Sequence, residues 1–425
     1  MKITKTLLIG ALSVTASSFV FAADSVDSDL FNQQFLEAMK TRESGDIFAS
    51  IEILEKLINS QPQYKRAELE LAVSYFRASL YSQAKTHANH VLNDPNTPPQ
   101  VKETIEVFLS QLNDIEEAES KNRHSFEGSL GVGIGHDTNI NASPTDSIIN
   151  INGAEFALAS NSTAQEENYG SINLQFNHTY RVPGTLGIGS RPVNMEWTSS
   201  IALYRKAYQD TGDFNLDVAT FITGANFISR TDWRAGINLR LDHISLGNEK
   251  LAHFVGLNAN YTKVDKANQY TITGELTNQE YESELNKGRD GIKYGLGLEM
   301  QHQFDQEFLG KIGLNYALND AKDDNKQYTS KLANVALYYS MTKNSLLFGQ
   351  AQYKVVDYDG VEPVYNIGRN DSEVSAVIGA TYIVPSGYFN EWIINGKISR
   401  YNNTSDVSIY EYERTDASLE VSKRF

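Results

Sequence analysis

The chain has 425 residues, 53 acidic against 37 basic, for a formal net charge of −16, and it contains no cysteine. That balance argues against nucleic acid as a partner and against a polybasic membrane-surface patch, and the missing cysteine rules out a disulfide framework and a lipid-attachment site. The 23 Tyr, 19 Phe and 29 Gly, beside few Pro and Met, suit the girdles, apolar face and tight turns of a β-barrel.

The chain opens on MKITKTLLIGALSVTASSFVFA, where Lys2 and Lys5 precede an apolar run from Leu7 and small residues lead to Val20 and Ala22. This is the layout of a secretory signal peptide over residues 1–22, and the apolar run is shorter than a spanning helix requires. No second apolar stretch reaches spanning length, so any membrane crossing must be made by strands.

Residues 27–120 carry a helical period. GDIFASIEILEKLINSQP and SLYSQAKTHANHVLNDP align at a spacing of 34: Ala38 with Ala72, Gly45 with Ser79, Ser50 with Ala84, Leu54 with Ala88, Leu57 with Val91. A 34-residue period with small residues at helix contacts and a Pro closing each unit, Pro62 and Pro95, is the tetratricopeptide pattern. Leu69, Ala72, Val73 and Phe76 form one expected buried stripe, and a further helix starts at Pro98 or Pro99 and buries Val101, Ile105, Phe108 and Leu112. Short solenoids of this kind either hold a polypeptide on one surface or act as a plug or spacer. The first reading puts Tyr75, Phe76, Tyr81 and His87 on the client-binding surface.

From Phe126 onward the helical period gives way to alternation every second residue. In DWRAGINLRLD, Trp233, Ala235, Ile237, Leu239 and Leu241 share one face, and Asp232, Arg234, Asn238, Arg240 and Asp242 share the other. Fourteen such segments are predicted: 124–139, 167–183, 192–208, 213–230, 231–246, 250–266, 268–284, 290–305, 308–323, 326–342, 345–359, 371–385, 388–404 and 411–425. Their length, their even number and the bulky apolar face with Trp197, Phe221, Tyr316 and Tyr382 favour a transmembrane antiparallel barrel over a β-sandwich. The last strand carries Leu419, Val421 and Phe425 on its apolar face, as a barrel-assembly signal does; Lys423 on that face must snorkel.

Catalytic signatures are lacking: the eight His are scattered without HExxH, and no GxSxG, phosphate loop or dinucleotide fingerprint occurs. The reading is therefore no enzyme, no cofactor and no metal. The glycines of GSLGVGIG alternate with apolar residues and read as inward positions of the first strand. Four Arg-x-Asp pairs share inward faces: Arg230 and Asp232, Arg240 and Asp242, Arg369 and Asp371, Arg414 and Asp416. They read either as a charged ladder along a passage or as lumen ion pairs that fix register, and a polar interior already requires the latter. Asp137, Asn139 and Asn141 mark the end of the first strand, as a cation loop or, more simply, as Asx turns.

The order of these parts, signal peptide, short helical module, GIGHDTNIN, about fourteen strands and a terminal Phe, resembles the surface lipoprotein assembly modifier family of Gram-negative outer membranes. The resemblance covers nearly the whole mature chain, and its local pieces are ELAVSYFRASLYSQA with PPQVKETIEVFLSQL, and Asp137-Thr138-Asn139-Ile140-Asn141. It implies a periplasmic tetratricopeptide-like domain over 27–120 and an outer-membrane barrel over 124–425 that moves a client to the cell surface. The implied partners are a client lipoprotein or small secreted haem-binding-type protein, the barrel assembly machinery and outer-membrane lipid, around a monomer. An exopolysaccharide export porin or a general porin is the alternative; the former would show an aromatic sugar track, which is not evident in the sequence.

Overall fold

Five helices come first among the described residues: α1 Ser28–Glu43, α2 Ile47–Ser60, α3 Lys65–Arg77, α4 Tyr81–Leu92 and α5 Pro99–Lys121. The computed structural model describes residues 28–425 except 122, 152, 189, 190, 230 and 231, so the predicted signal peptide and Arg230 lie outside the described residues. The 34-residue equivalence holds at the level of backbone. Ser50 and Ala84, Leu54 and Ala88, Leu57 and Val91 are all buried, and the matching turn residues Gly45 and Ser79 both take a left-handed φ, +96° and 60°. Glycine adopts that conformation freely and serine does not, so the turn geometry rather than residue identity is what the two units share.

The α3 stripe differs from the expected one. Ala67, Glu68, Leu71, Ala72, Ser74 and Tyr75 are buried, while Leu69, Val73 and Phe76 are only partly covered. The helix lies between α2 and α4 and packs on both, so its covered face is wider than one apolar stripe. Its Ser74 hydroxyl and Glu70 carboxylate are bonded: the Arg42 guanidinium donates to Ser74 Oγ at 3.3 Å and to the Glu70 carboxylate at 2.7 Å. The segment Arg181–Met195 groups with these helices rather than with the barrel, Thr185 Oγ1 donating to the Ala78 carbonyl at 2.9 Å, so the boundary expected near 120–124 is not a single cut. No helix among the described residues is long and apolar enough to cross a membrane.

The barrel wall consists of β1 His124–Asp137, β4 Glu167–Arg181, β6 Arg191–Tyr208, β7 Leu216–Ser229, β8 Trp233–Leu246, β9 Glu249–Asp265, β10 Asn268–Tyr281, β11 Gly291–Gln303, β12 Phe308–Ala321, β13 Tyr328–Thr342, β14 Ser345–Glu362, β15 Ile367–Ile383, β16 Ile393–Ser405 and β17 Tyr412–Arg424. Each pairs antiparallel with its neighbour, and β1 lies between β4 and β17, closing a sheet of 14 strands. Three short strands stand apart from the wall: the hairpin β2 Ile148–Ile151 with β3 Ala154–Ala157, and β5 Leu186–Ile188, which extends β6. All fourteen predicted segments are found. The largest shift is at β16, predicted from 388 and found from Ile393, and β14, predicted to end at 359, does not stop there. Instead β14 passes a register shift between Asp357 and Val361 and runs on to Glu362. Gly360 is needed because the 324–326 turn lies against it: a Cβ there would sit 2.4 Å from the Asn325 nitrogen.

Alternation sorts the side chains. Leu130, Val132, Ile134, Ile237, Leu314 and Ile378 point outward and are exposed, a belt that water would not tolerate at this extent and that lipid accepts. Trp233 stacks on Tyr261 at 6.0 Å and Phe389 meets Trp392 at 5.6 Å near the end where the strand termini lie, as an aromatic girdle does. Lys423 ends with its ammonium 5.9 Å from the Trp392 ring, which is the snorkelling its position demands. Leu419 is exposed on the same outer face.

Closure depends on glycine. Beyond the paired run from Ser129↔Arg424 to Asp137↔Asp416, Gly128 and Phe425 exchange backbone hydrogen bonds at 2.8 and 2.9 Å, and the Phe425 ring covers Gly128. On the inner face Gly131, Gly133 and Gly135 leave β1 without side chains, and Asn173, Ser171 and Tyr169 of β4 lie across the gap. Asn173 Nδ2 donates to Glu420 at 2.6 Å and Tyr169 Oη donates to Asp416 at 2.8 Å, so β4 bonds to β17 over the top of β1. A Cβ on Gly135 would meet the Tyr169 ring at 2.3 Å and the Ala417 carbonyl at 2.7 Å, whereas Gly274 has open space. Gly135→Ala should therefore destabilise the barrel by about 1–3 kcal/mol, and Gly274→Ala should change it little. Urea unfolding followed by heat-modifiable gel mobility checks both; equal midpoints would remove the role given to the glycine track.

Candidate functional site

The inner wall near the long loops carries two linked sets of ions and phenols. In the first, register places Asp137 directly opposite Asp416, a like-charge pair that needs cations. Asp137, with no exposed surface, accepts from Arg414 Nε at 2.9 Å and Nη2 at 2.6 Å, from Lys206 Nζ at 2.9 Å and from Tyr208 Oη at 3.0 Å. Asp416 accepts from the same Lys206 at 3.0 Å as well as from Tyr169. The ammonium sits 3.8 Å from the Tyr169 ring centre and 5.0 Å from that of Tyr208. Two carboxylates, one lysine and one arginine cancel, and the set joins β17, β1 and β6, with Tyr169 adding β4.

The second set lies on β13, β14, β15, β17 and the turn before β17. Arg369 forms a bidentate pair with Asp371 at 3.0 and 2.5 Å and is sandwiched between Tyr358 and Tyr410, 4.4 and 3.3 Å from their ring centres. Tyr328 meets Tyr358 edge-on at 5.5 Å, Tyr410 donates to Glu362 at 3.2 Å, and Tyr412 donates to Glu373 at 2.5 Å.

Of the four expected Arg-x-Asp pairs, Arg240 with Asp242 at 2.7 Å and Arg369 with Asp371 form as read. Arg414 does not bond Asp416: its reach takes it to the opposed Asp137, where it relieves the carboxylate repulsion. Asp232 accepts from Lys263 at 2.9 Å, with Arg230 outside the described residues. The 137–141 stretch is structural. Asn139 donates to the Ser143 and Glu413 carbonyls at 2.8 and 2.9 Å, and Asn141 to the Thr163 carbonyl at 2.8 Å, so both asparagines shape the base of the loop between β1 and β4. That loop packs on neighbouring loops: Ile149 is buried with Tyr365 and Val407, and Ile151, Leu158 and Tyr410 pack around them.

In the helical unit, Tyr75 and Tyr81 are core residues, so their rings hold helices together and do not form a docking face. Phe76 is partly covered against Phe108 at 5.7 Å. His87 stacks on Tyr75 at 5.4 Å and, with His90 and Lys65, reaches the buried Glu68 carboxylate. Burial works to raise the Glu68 carboxyl, but the hydrogen bonds from His87, His90 and Lys65 outweigh it and hold the group at about 2. Burial and the Glu55 carboxylate push the Tyr75 phenol up.

Sequence reading missed Lys206, Tyr169, Tyr208 and Glu68. The signal for the first was present in YRKAY, residues 204–208, where alternation puts Tyr204, Lys206 and Tyr208 on the inward face. Among the described residues no cluster of three or more His, Asp or Glu is arranged to hold a metal ion.

Residues 229–421, less than half of the chain, match a family described as a protein of unknown function, DUF2860. No protein with a curated description matches. Solved structures similar to the chain include OccAB3 of Acinetobacter baumannii (8% identity, 71% of this chain and 100% of that one, TM-score 0.38). Others are OprD of Pseudomonas aeruginosa (11%, 72% and 94%, 0.35) and a BenF-like porin of Pseudomonas fluorescens Pf-5 (8%, 71% and 99%, 0.36). At these scores the likenesses carry no argument, and the barrel rests on its own pairings.

Two outcomes are expected. Lys206→Met leaves two buried carboxylates to one arginine and should cost about 3–5 kcal/mol of barrel stability, read as a lowered urea midpoint. Glu68, below its ordinary 4.5 in the fold, contributes stability that is full above pH 4.5 and lost as pH falls towards about 2, roughly 3 kcal/mol in all. Acid titration of the helical circular-dichroism signal should show that loss in the wild type and not in Glu68→Gln.

Proposed function

We propose that this protein is an outer-membrane channel that admits small polar solutes through its own lumen, with the helical unit in the periplasm. The observation that carries this reading is the closed wall itself: apolar outside, lined inside by paired charges, amides and phenols, and bonded along its whole closing seam. A wall of 14 strands is wider than the eight-stranded barrels whose side chains fill their interior, which favours a passage. The loop between β1 and β4 packs against the loops at Tyr365 and Val407, and on this reading it restricts entry. Reconstituted in planar bilayers, the protein should give discrete conductance steps, larger when residues 145–158 are shortened to a tight turn. Silence of both forms, with barrel folding verified by gel mobility, would refute the channel.

A second reading, export of a client lipoprotein or secreted protein in the manner of the surface lipoprotein assembly modifiers, is favoured by the two helix pairs repeated at 34 residues. In that case a polypeptide is held by the helices and crosses by the lumen, because the β1–β17 seam offers no unpaired edge for lateral release. Protease shaving of cells with and without the protein separates the readings: a client that reaches the surface only when the protein is present supports export.

A further inference from the structure

We propose that the solutes this channel prefers are uncharged and hydroxyl-rich, of the saccharide class, and that an arc of lumen tyrosines recognises them. The proposal rests on the channel reading and adds its substrate class.

The arc is built by topology. Tyr328, Tyr358, Tyr401, Tyr412 and Tyr204 belong to five strands of the wall, all in their loop-end halves and all on the face that looks inward. They are spread over more than two hundred positions of sequence, which is why no aromatic track is visible there. Tyr204 is 37% exposed, Tyr401 and Tyr412 are half-buried, and Arg414 lies 5.9 Å from the Tyr401 ring centre. Serine would satisfy a polar lumen and phenylalanine would satisfy packing; a phenol presents an apolar ring face together with a hydrogen-bonding tip, and since Tyr358 already stacks on Arg369 and Tyr412 already donates to Glu373, a solute is met first by Tyr204 and Tyr401. That combination matches a sugar ring, which offers C–H faces and hydroxyl edges.

Charge points the same way. Arg369 is closed on Asp371, Arg414 on Asp137, Lys206 on both aspartates of the seam, and Glu362 on Lys326. At these paired groups a charged solute would lose water without gaining a free counter-charge, a cost that a neutral polyol escapes. Amides add to the wall on β7, β8, β9 and β13, beside the paired Arg240 and Asp242. Asn226, Asn238 and Asn260 converge around Gly236, and Asn334 lies over Gly313, where any Cβ would displace them. Amides can donate to and accept from hydroxyls in either sense, as a ligand rich in such groups requires.

The test is solute-dependent current and swelling. In planar bilayers a disaccharide should interrupt the ion current, and proteoliposomes should swell faster in that disaccharide than in a dicarboxylate or a dibasic amino acid of similar size. Removing one exposed ring, in Tyr204→Ser or Tyr401→Ser, should weaken the block about threefold to tenfold. Tyr204→Phe, which keeps the ring face, should retain most of it, and gel mobility verifies that each variant folds. A conducting channel that the disaccharide neither blocks nor enters faster than the charged solutes would overturn the saccharide assignment and leave the channel standing. Absence of any conductance would remove both.

Discussion

Asp137 ties the first strand of the barrel to the last. Every other pair of neighbouring wall strands is also consecutive in sequence, apart from the short loop strands, so only the β1–β17 contact must be found by chain ends far apart. Backbone pairing alone would allow a slip, and a slip of one residue would turn the apolar face of β17 into the lumen. The buried ion set forbids it, because only this register opposes Asp137 to Asp416 and brings Arg414 and Lys206 between them. Such a network contributes little net energy over an apolar equivalent, and its value here lies in specifying one pairing.

The same set explains the composition of β1. Side chains on its inner face would hold β4 away from β17, so the strand carries glycine at 131, 133 and 135, and the neighbouring strand bridges over it. Glycine weakens a strand, and the cost is offset by the hydrogen bonds that β4 makes to the Glu420 and Asp416 side chains. On the proposed channel reading, a closed, braced seam leaves the lumen as the route across the wall.

Much of the fold was legible because alternation is a local property. Trp233, Ile237 and Leu241 declare an outer face without reference to any other strand, and fourteen such segments count the barrel. The helix repeat was legible for the same reason, down to the turn at Gly45 and Ser79. What stayed hidden depends on register between distant strands. Arg414 and Asp416 share a face in any barrel, but only the pairing of 137 with 416 sends Arg414 to Asp137. Tyr75 and Tyr81 read as surface aromatics on isolated helices and prove to be core, since α3 packs between α2 and α4, and α4 between α3 and α5. Glu68 is invisible to any apolar pattern because its burial depends on histidines from the next helix.

The central claim is that transport uses the lumen of a permanently closed barrel, and the absence of native cysteine makes it directly testable. Val132 and Val421 face each other across the seam, so cysteines placed at both positions can be oxidised to a covalent bridge. Single-channel current recorded before and after oxidation of that double variant is the measurement to make. The account predicts a crosslinked protein with unchanged conductance, fully functional with its seam sewn shut. A current that disappears on crosslinking and returns on reduction would show that the seam opens, and would contradict it.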